Sequence, residues 1–228
     1  MRPLTVVSPG GGEVIGDSPT RRVEILSDRP PVHATVARLA AGQEGADLHV
    51  HYEHSDLFYV LAGEVTVRLG LEDRQLTVPA GALARVPPGV VHGFRNAGQV
   101  EMRYLNFHAP GCDFATYMRG LRDSVKVVYD QHDPPADGGR PLTEAEVSQG
   151  VGVLTDVDAI RVERLDGVTE PRTFHALASY WALEGDLKLT AGAQETYAPE
   201  GSWVQIPPGH EHAVDGSFLR VTAPSSTG

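Results

Sequence analysis

The chain of 228 residues carries 19 basic and 30 acidic side chains, giving a formal charge of −11 with histidine neutral, together with 10 histidines and one cysteine. Such an acidic excess repels phosphate backbones and anionic lipid, and no run reaches the ~18 apolar residues of a membrane span, so neither nucleic acid nor membrane is an expected partner. Residues 1–17 lack the basic start and apolar run of a signal peptide, and the lone Cys112 has no disulfide partner, which together predict a cytoplasmic protein.

The length suits one large domain or two compact ones, and 25 Gly and 17 Pro against 7% aromatics favour turns and short strands over helices. Gly10-Gly11-Gly12 lacks the Lys and Ser/Thr of a phosphate loop and reads as a turn. His49 and His51 stand two apart on an expected strand, so their rings leave the same face and can share one metal. Asp56 follows, ahead of the apolar run Leu57–Leu61 and a turn at Gly63. Val65, Val67 and Leu69 alternate with Glu64, Thr66 and Arg68, the period of a strand with one buried face. Pro87-Pro88-Gly89 predicts a tight turn, because Pro fixes φ and Gly accepts a positive one, and His92 comes three residues later. Three imidazoles and one carboxylate make a mixed nitrogen and oxygen site for a divalent first-row metal. Tyr52, Phe94, Met102, Tyr104 and Phe107 are expected near that end of the fold, as an apolar substrate pocket or its lips. His33, His108, His132, His175 and His210 read as hydrogen-bonded core histidines.

Phe114, Tyr117, Met118 and Leu121 fall at helical spacing, with Asp113 as the expected N-cap. Residues 130–141 are polar and turn-rich and read as a linker, after which Thr143 with Glu146 offers a capping box for a second short helix. Trp181–Gly185 and Gly201–His212 then repeat Tyr59–Gly63 and Gly81–His92, so the chain reads as internally duplicated. In the second copy Gly201, Pro207, Gly209 and His212 persist, while the positions of His49, His51 and Asp56, counted back from Gly185, are Pro171, Thr173 and Ala178. The tail from Pro224 to Gly228 is expected to fray.

These residues resemble the cupins, small β-barrels whose first motif reads G(X)5HXH(X)3-4E(X)6G and whose second reads G(X)5PXGXXHXXXN. Gly81, Pro87, Gly89, His92 and Asn96 match the second motif in full. His49, His51 and Gly63 match the first, with Asp56 at the Glu position and Gln43 where the leading Gly stands. Asp is one methylene shorter than Glu, so direct ligation, ligation through water and substitution by Glu53 or His54 all remain open. The resemblance implies an all-β fold of two tandem jelly-roll barrels, a double-stranded β-helix in each: 1–110 with the metal site, 111–148 as a helical and loop linker, and 149–228 as a degenerate second barrel. Its quercetinase-like members imply a divalent transition metal (Fe, Mn, Ni or Zn) held by His49, His51, Asp56 and His92, with Asp56 also accepting a proton. The activity so implied is a dioxygenase acting on a small aromatic or enolisable metabolite. The superfamily also contains metal-dependent isomerases and lyases, and non-catalytic small-molecule binders. Only Arg68, Arg74, Arg85 and Arg95 lie within 43–96, which argues against phosphorylated substrates. A small-molecule substrate is the expected partner, of a monomer or a homodimer.

Overall fold

The computed structural model describes residues 4–29, 32–140, 145–157 and 159–222. Its elements in chain order are β1 (Thr5–Val7), β2 (Glu13–Asp17), β3 (Arg21–Ser27), β4 (His33–Leu39), β5 (Ser55–Ala62), β6 (Glu64–Leu69), β7 (Arg74–Pro79), β8 (Ala82–Val86), β9 (His92–Arg95) and β10 (Met102–Ala109). Helix α1 (Phe114–Asp123) follows, the single helix among the described residues, then β11 (Glu146–Gln149), β12 (Gly152–Val157), β13 (Ile160–Asp166), β14 (Ala178–Ala191), β15 (Gln194–Ala198), β16 (Trp203–Ile206) and β17 (Ala213–Thr222). Among the described residues no helix is long and apolar enough to cross a membrane.

The chain divides into two units, Glu13–Gln149 and Met1–Gly12 with Gly150–Gly228. The first holds a seven-stranded antiparallel sheet in the order β11-β8-β5-β10-β4-β3-β2 and a three-stranded one, β7-β6-β9. Alternation along β5, β6 and β10 turns Phe58, Val60, Val65, Val67 and Met102 into one core, each fully buried. The second unit has a seven-stranded sheet, β1-β16-β14-β17-β13-β12, with β15 on β14. In this unit β14 does the work of β5 and β6 together, bending at register shifts near Glu184. Both units have the jelly-roll sheets of the expected all-β fold.

The unit boundaries differ from those expected. The start of the chain supplies β1, paired along β16 in the second unit, and the segment 146–149 supplies β11, paired along β8 in the first. Each covers an edge that would otherwise present unpaired backbone groups. Glu146 therefore opens a strand and not a helix; Thr143, its expected capping partner, and the tail 224–228 lie outside the described residues. Nor are residues 130–140 a loose linker: Val50 pairs with His132, Val90 with Gly139, and the Arg140 N–H donates to the Gly89 carbonyl at 2.8 Å. The expected helix is α1, but Asp113 does not cap it with its side chain, because it sits at φ 59 in the left-handed region. The His33 ring instead accepts the Ala115 N–H at 3.1 Å.

Gly63 joins β5 to β6 at φ 68, and a Cβ there would meet the Glu101 carbonyl oxygen at 2.8 Å. Both conditions demand glycine. Gly42, at φ 70, has nothing within 4 Å of its would-be Cβ. Gly63→Ala is expected to cost more than the roughly 1–2 kcal/mol of a left-handed residue alone, and clearly more than Gly42→Ala, in urea unfolding. Equal losses at the two positions would show that the close approach to Glu101 contributes nothing.

Candidate metal centre

The chain before β5 and the start of β9 are held face to face by a backbone pair. His49 and His92 exchange N–H to carbonyl hydrogen bonds, both at 2.8 Å, and the turn at Pro87-Pro88-Gly89 closes on the same segment through the Gly89 N–H to the His51 carbonyl at 2.6 Å. Side chains alternate along this segment, so His49 and His51 point inward together while Val50 is buried on the opposite side. Asp56, the second residue of β5, pairs with Val86 of β8 and His108 of β10.

The four side chains converge. One ligand atom from each of His49, His51, Asp56 and His92 lies within 4.8 Å of the others, and all four residues are buried. His49 donates from Nδ1 to the Asp47 carbonyl at 2.7 Å, His92 to the Val90 carbonyl at 2.9 Å, and His51 to the Asp130 carbonyl. With Nδ1 carrying the proton, each ring turns a bare Nε2 lone pair inward. Nε2 of His49 and Nε2 of His51 are 3.1 Å apart, and His92 Nε2 is 3.3 Å from Asp56 Oδ2. Donors at right angles around an ion with bonds of about 2.0–2.2 Å stand about 3 Å apart, so the set fits a first-row divalent metal.

Burial pushes the His49 ring down to about 4, assisted by neighbouring His92, and drives His51 lower still. Burial opposes charge on Asp56, but His108, His92 and His51 outweigh it and hold its carboxyl well below the usual carboxylate range. Neutral imidazoles and an ionised carboxylate are the protonation states that ligation requires. Asn106 orients the carboxylate, donating from Nδ2 to Asp56 Oδ1 at 2.5 Å and to the Leu57 carbonyl at 3.0 Å.

A cavity of about 350 Å³ opens onto His49, His51 and Asp56. Val23, Ala37, Leu39 and Phe94 wall it on one side and Met118 and Leu121 of α1 on another, with Arg21, Thr35 and the Tyr104 ring as polar points. Of the residues expected to meet substrate, Phe94 and Tyr104 line this cavity. Tyr52 does not: it is 52% exposed and lies against His132 in an outer groove with Pro88 and Arg140. Met102 does not either, being 0% exposed in the core, and Phe107 is likewise fully buried. Glu53 is exposed and faces no ligand, and His54 is buried but turned toward Tyr129 and Asp130.

Several residues of this neighbourhood were not expected from sequence. His108, read as core, sits beside Asp56, its Nε2 3.6 Å from Oδ1, and Asn106 lies on the same face of β10. Their spacing from Tyr104 at period two is the signal that could have found them. Tyr129 and Asp130 come from the segment read as a linker. The Asp130 carboxylate accepts the N–H groups of Tyr52 and Glu53, the latter at 2.7 Å, and the Nδ1–H of His54 at 2.9 Å. Of the other histidines read as core, His33 is buried and His210 half-buried, whereas His132 and His175 are exposed.

In the second unit Arg172 and His212 exchange the hydrogen bonds made by His49 and His92, and the Gly209 N–H donates to the Phe174 carbonyl as Gly89 does to His51. Ala178 pairs with Ile206 as Asp56 does with Val86. The counterparts of His49 and His51 are thus Arg172 and Phe174, not Pro171 and Thr173, because this copy has one residue fewer before its long strand. Arg220, at the position of Asn106, pairs with Glu163 at 2.8 Å and lies over the Phe174 ring, while His212 bonds to the Tyr180 hydroxyl.

Residues 35–108 match the family model of the cupin domain. No curated protein sequence matches the chain. Among solved structures, protein Ylba from E. coli is similar with a TM-score of 0.69 at 13% identity, covering 96% of this chain and 90% of that one. The salicylate 1,2-dioxygenase of Pseudaminobacter salicylatoxidans gives 0.66 at 15% identity, covering 97% and 84%. The oxalate decarboxylase OxdC of Bacillus subtilis gives 0.61 at 11% identity, covering 96% and 77%. At such identities the likeness is one of fold.

Burial also pushes His33 down to about 4, beside His49 at about 4, from an ordinary 6.5. Between those values the unfolded chain binds more protons than the folded one, so this stability is full above pH 6.5 and is lost as pH falls through about 4. Urea unfolding of the metal-stripped protein is expected to show its free energy declining across that window. A flat profile would contradict the assignment of these rings as buried and neutral.

Proposed function

We propose that the first unit is a metal-dependent dioxygenase acting on a small aromatic or enolisable metabolite, with a divalent transition ion (Fe, Mn, Ni or Zn) held by His49, His51, His92 and Asp56. The observation that carries this reading is the convergence of three bare imidazole nitrogens and one carboxylate oxygen at the inner end of a largely apolar cavity. Four protein donors leave about two positions of an octahedral ion open, and an ion bound there supplies Lewis acidity and, when redox-active, a place for dioxygen.

The chain's own residues do the rest. Val23, Leu39 and Phe94 offer apolar walls to a flat substrate and exclude water, while Arg21, Thr35 and Tyr104 supply the few polar points that fix its orientation. Asp56 serves as a ligand more readily than as a base. One oxygen faces His92 and the other takes the Asn106 amide, and the carboxyl is held at low proton affinity by the rings around it. The second unit, with Arg172, Phe174 and Ala178 at the ligand positions, supports the reading of a bicupin whose C-terminal barrel has lost this centre.

The test is oxygen uptake. Protein stripped of metal and reloaded separately with Fe(II), Mn(II) or Ni(II) is offered catechols, flavonols and hydroxybenzoates. The expected outcome is oxygen consumption matched to substrate loss with at least one ion, abolished by His92→Ala. Substrate conversion without oxygen uptake would replace the dioxygenase reading with an isomerase or lyase. Tight binding without turnover would replace it with a small-molecule binding protein.

A further inference from the structure

Beside the four-donor centre a second group of buried atoms converges. Tyr129 Oη lies 2.8 Å from His54 Nε2 and 2.7 Å from His108 Nδ1, and those two nitrogens are 3.0 Å apart. All three side chains are buried. Hydrogen bonds on the far side of each ring fix its tautomer. His54 Nδ1 faces the Asp130 carboxylate at 2.9 Å; an ionised carboxylate only accepts, so this nitrogen carries the proton. His108 Nε2 faces Asn106 Oδ1 at 2.9 Å. The amide cannot be flipped, because its Nδ2 donates to Asp56 and to the Leu57 carbonyl, so His108 Nε2 carries the proton as well.

Both inward nitrogens therefore present lone pairs, and one phenolic hydrogen is all that three mutually touching acceptor atoms have to share. A hydrogen placed between Tyr129 and either ring leaves the other ring facing bare oxygen and bare nitrogen. A cation satisfies all three at once. Two ligands at right angles about an ion with bonds of about 2.0–2.1 Å are about 2.9 Å apart, which the separations of 2.7, 2.8 and 3.0 Å match as one face of an octahedron.

We propose that His54 Nε2, His108 Nδ1 and Tyr129 Oη bind a second divalent transition ion within the first unit. Tyr129 enters as the phenolate, and its proton leaves to solvent as the ion binds. Two imidazoles and a phenolate suit a borderline first-row ion. Asp130 behind His54 and Asp56 beside His108 supply further negative charge. The His51 ring separates the two centres: its centroid is 4.1 Å from that of His54, its Nδ1 is held by Asp130 and its Nε2 belongs to the first centre. Two ions flanking one imidazole would place a second positive charge near a substrate bound at the first.

The full chain, stripped with chelator, is titrated with Zn(II) alone. Bound zinc is measured by equilibrium dialysis and phenol ionisation by ultraviolet difference spectroscopy, and near-ultraviolet circular dichroism checks the fold of each variant. The wild type is expected to bind two ions and to show the phenolate band. Tyr129→Phe, which keeps the ring packing, and His108→Gln are expected to lose one ion and the band; His92→Ala is expected to lose one ion and keep the band. A wild type binding a single ion that survives in folded Tyr129→Phe and vanishes in His92→Ala, without a phenolate band, would overturn the second site and leave the first intact. A single ion with the opposite dependence would uphold the second site and remove the first. Two ions retained in folded Tyr129→Phe and His108→Gln would overturn the assignment of ligands.

Discussion

The interaction on which the site depends is a set of three hydrogen bonds to backbone carbonyls. His49, His51 and His92 each give the Nδ1 proton to a carbonyl, of Asp47, Asp130 and Val90 respectively. That choice fixes the tautomer, and the tautomer aims the Nε2 lone pairs at one another and at Asp56. Bare acceptors facing each other in a buried place repel, and an arrangement of this kind is stable only with a proton or a cation among them. Ligand orientation through a second hydrogen bond is how proteins tune a metal's first contacts. Here the orienting partners are mainly backbone atoms, which no side-chain substitution can remove directly.

The fold's contribution is to bring four short segments to one point. The backbone pair between His49 and His92 sets the separation of two ligands, and the Pro87-Pro88-Gly89 turn, bonded to the His51 carbonyl, holds the third. β5 and β10 then place Asp56, Asn106 and His108 on one inward face, so that the carboxylate is oriented from the neighbouring strand. Residues 129–132 close the arrangement from outside the sheets. Asp130 acts twice, its carbonyl on His51 and its carboxylate on His54 and the backbone of Tyr52 and Glu53. The second unit repeats the backbone pairing with Arg172 and His212 but fills the interior with a Glu163–Arg220 ion pair under Phe174. The scaffold persists where the donors do not.

Much of this was legible in the sequence, for physical reasons that also mark where legibility ends. Strand alternation puts His49 and His51 on one face, and a Pro-Pro-Gly turn carries His92 to meet them; both are local rules. Asn106 and His108 obey the same alternation as Tyr104 and were within reach of it. Met102 shows the limit of that rule, since alternation gives the face of a strand and not the depth along it: Tyr104 reaches the cavity while Met102, two residues earlier, ends in the core. Tyr52 fails differently, because the alternation that turns His49 and His51 inward puts Tyr52 with Val50 on the opposite face, where it is exposed. Tyr129 and Asp130 were unreadable, as their partners lie far off in the chain, 75 residues earlier at His54 and 21 at His108 for Tyr129 and 76–79 residues earlier for Asp130, and their own segment has the composition of a loop. The exchanged edge strands β1 and β11 were hidden for the same reason: short pairings carry little pattern of their own.

Anomalous diffraction from crystals of the full chain grown with Mn(II) tests the central claim most directly. The account predicts a peak bonded to Nε2 of His49, His51 and His92 and to an oxygen of Asp56, with each Nδ1 still on its carbonyl. Rings rotated to present Nδ1 inward, or no density at their meeting point in crystals soaked with excess ion, would contradict it.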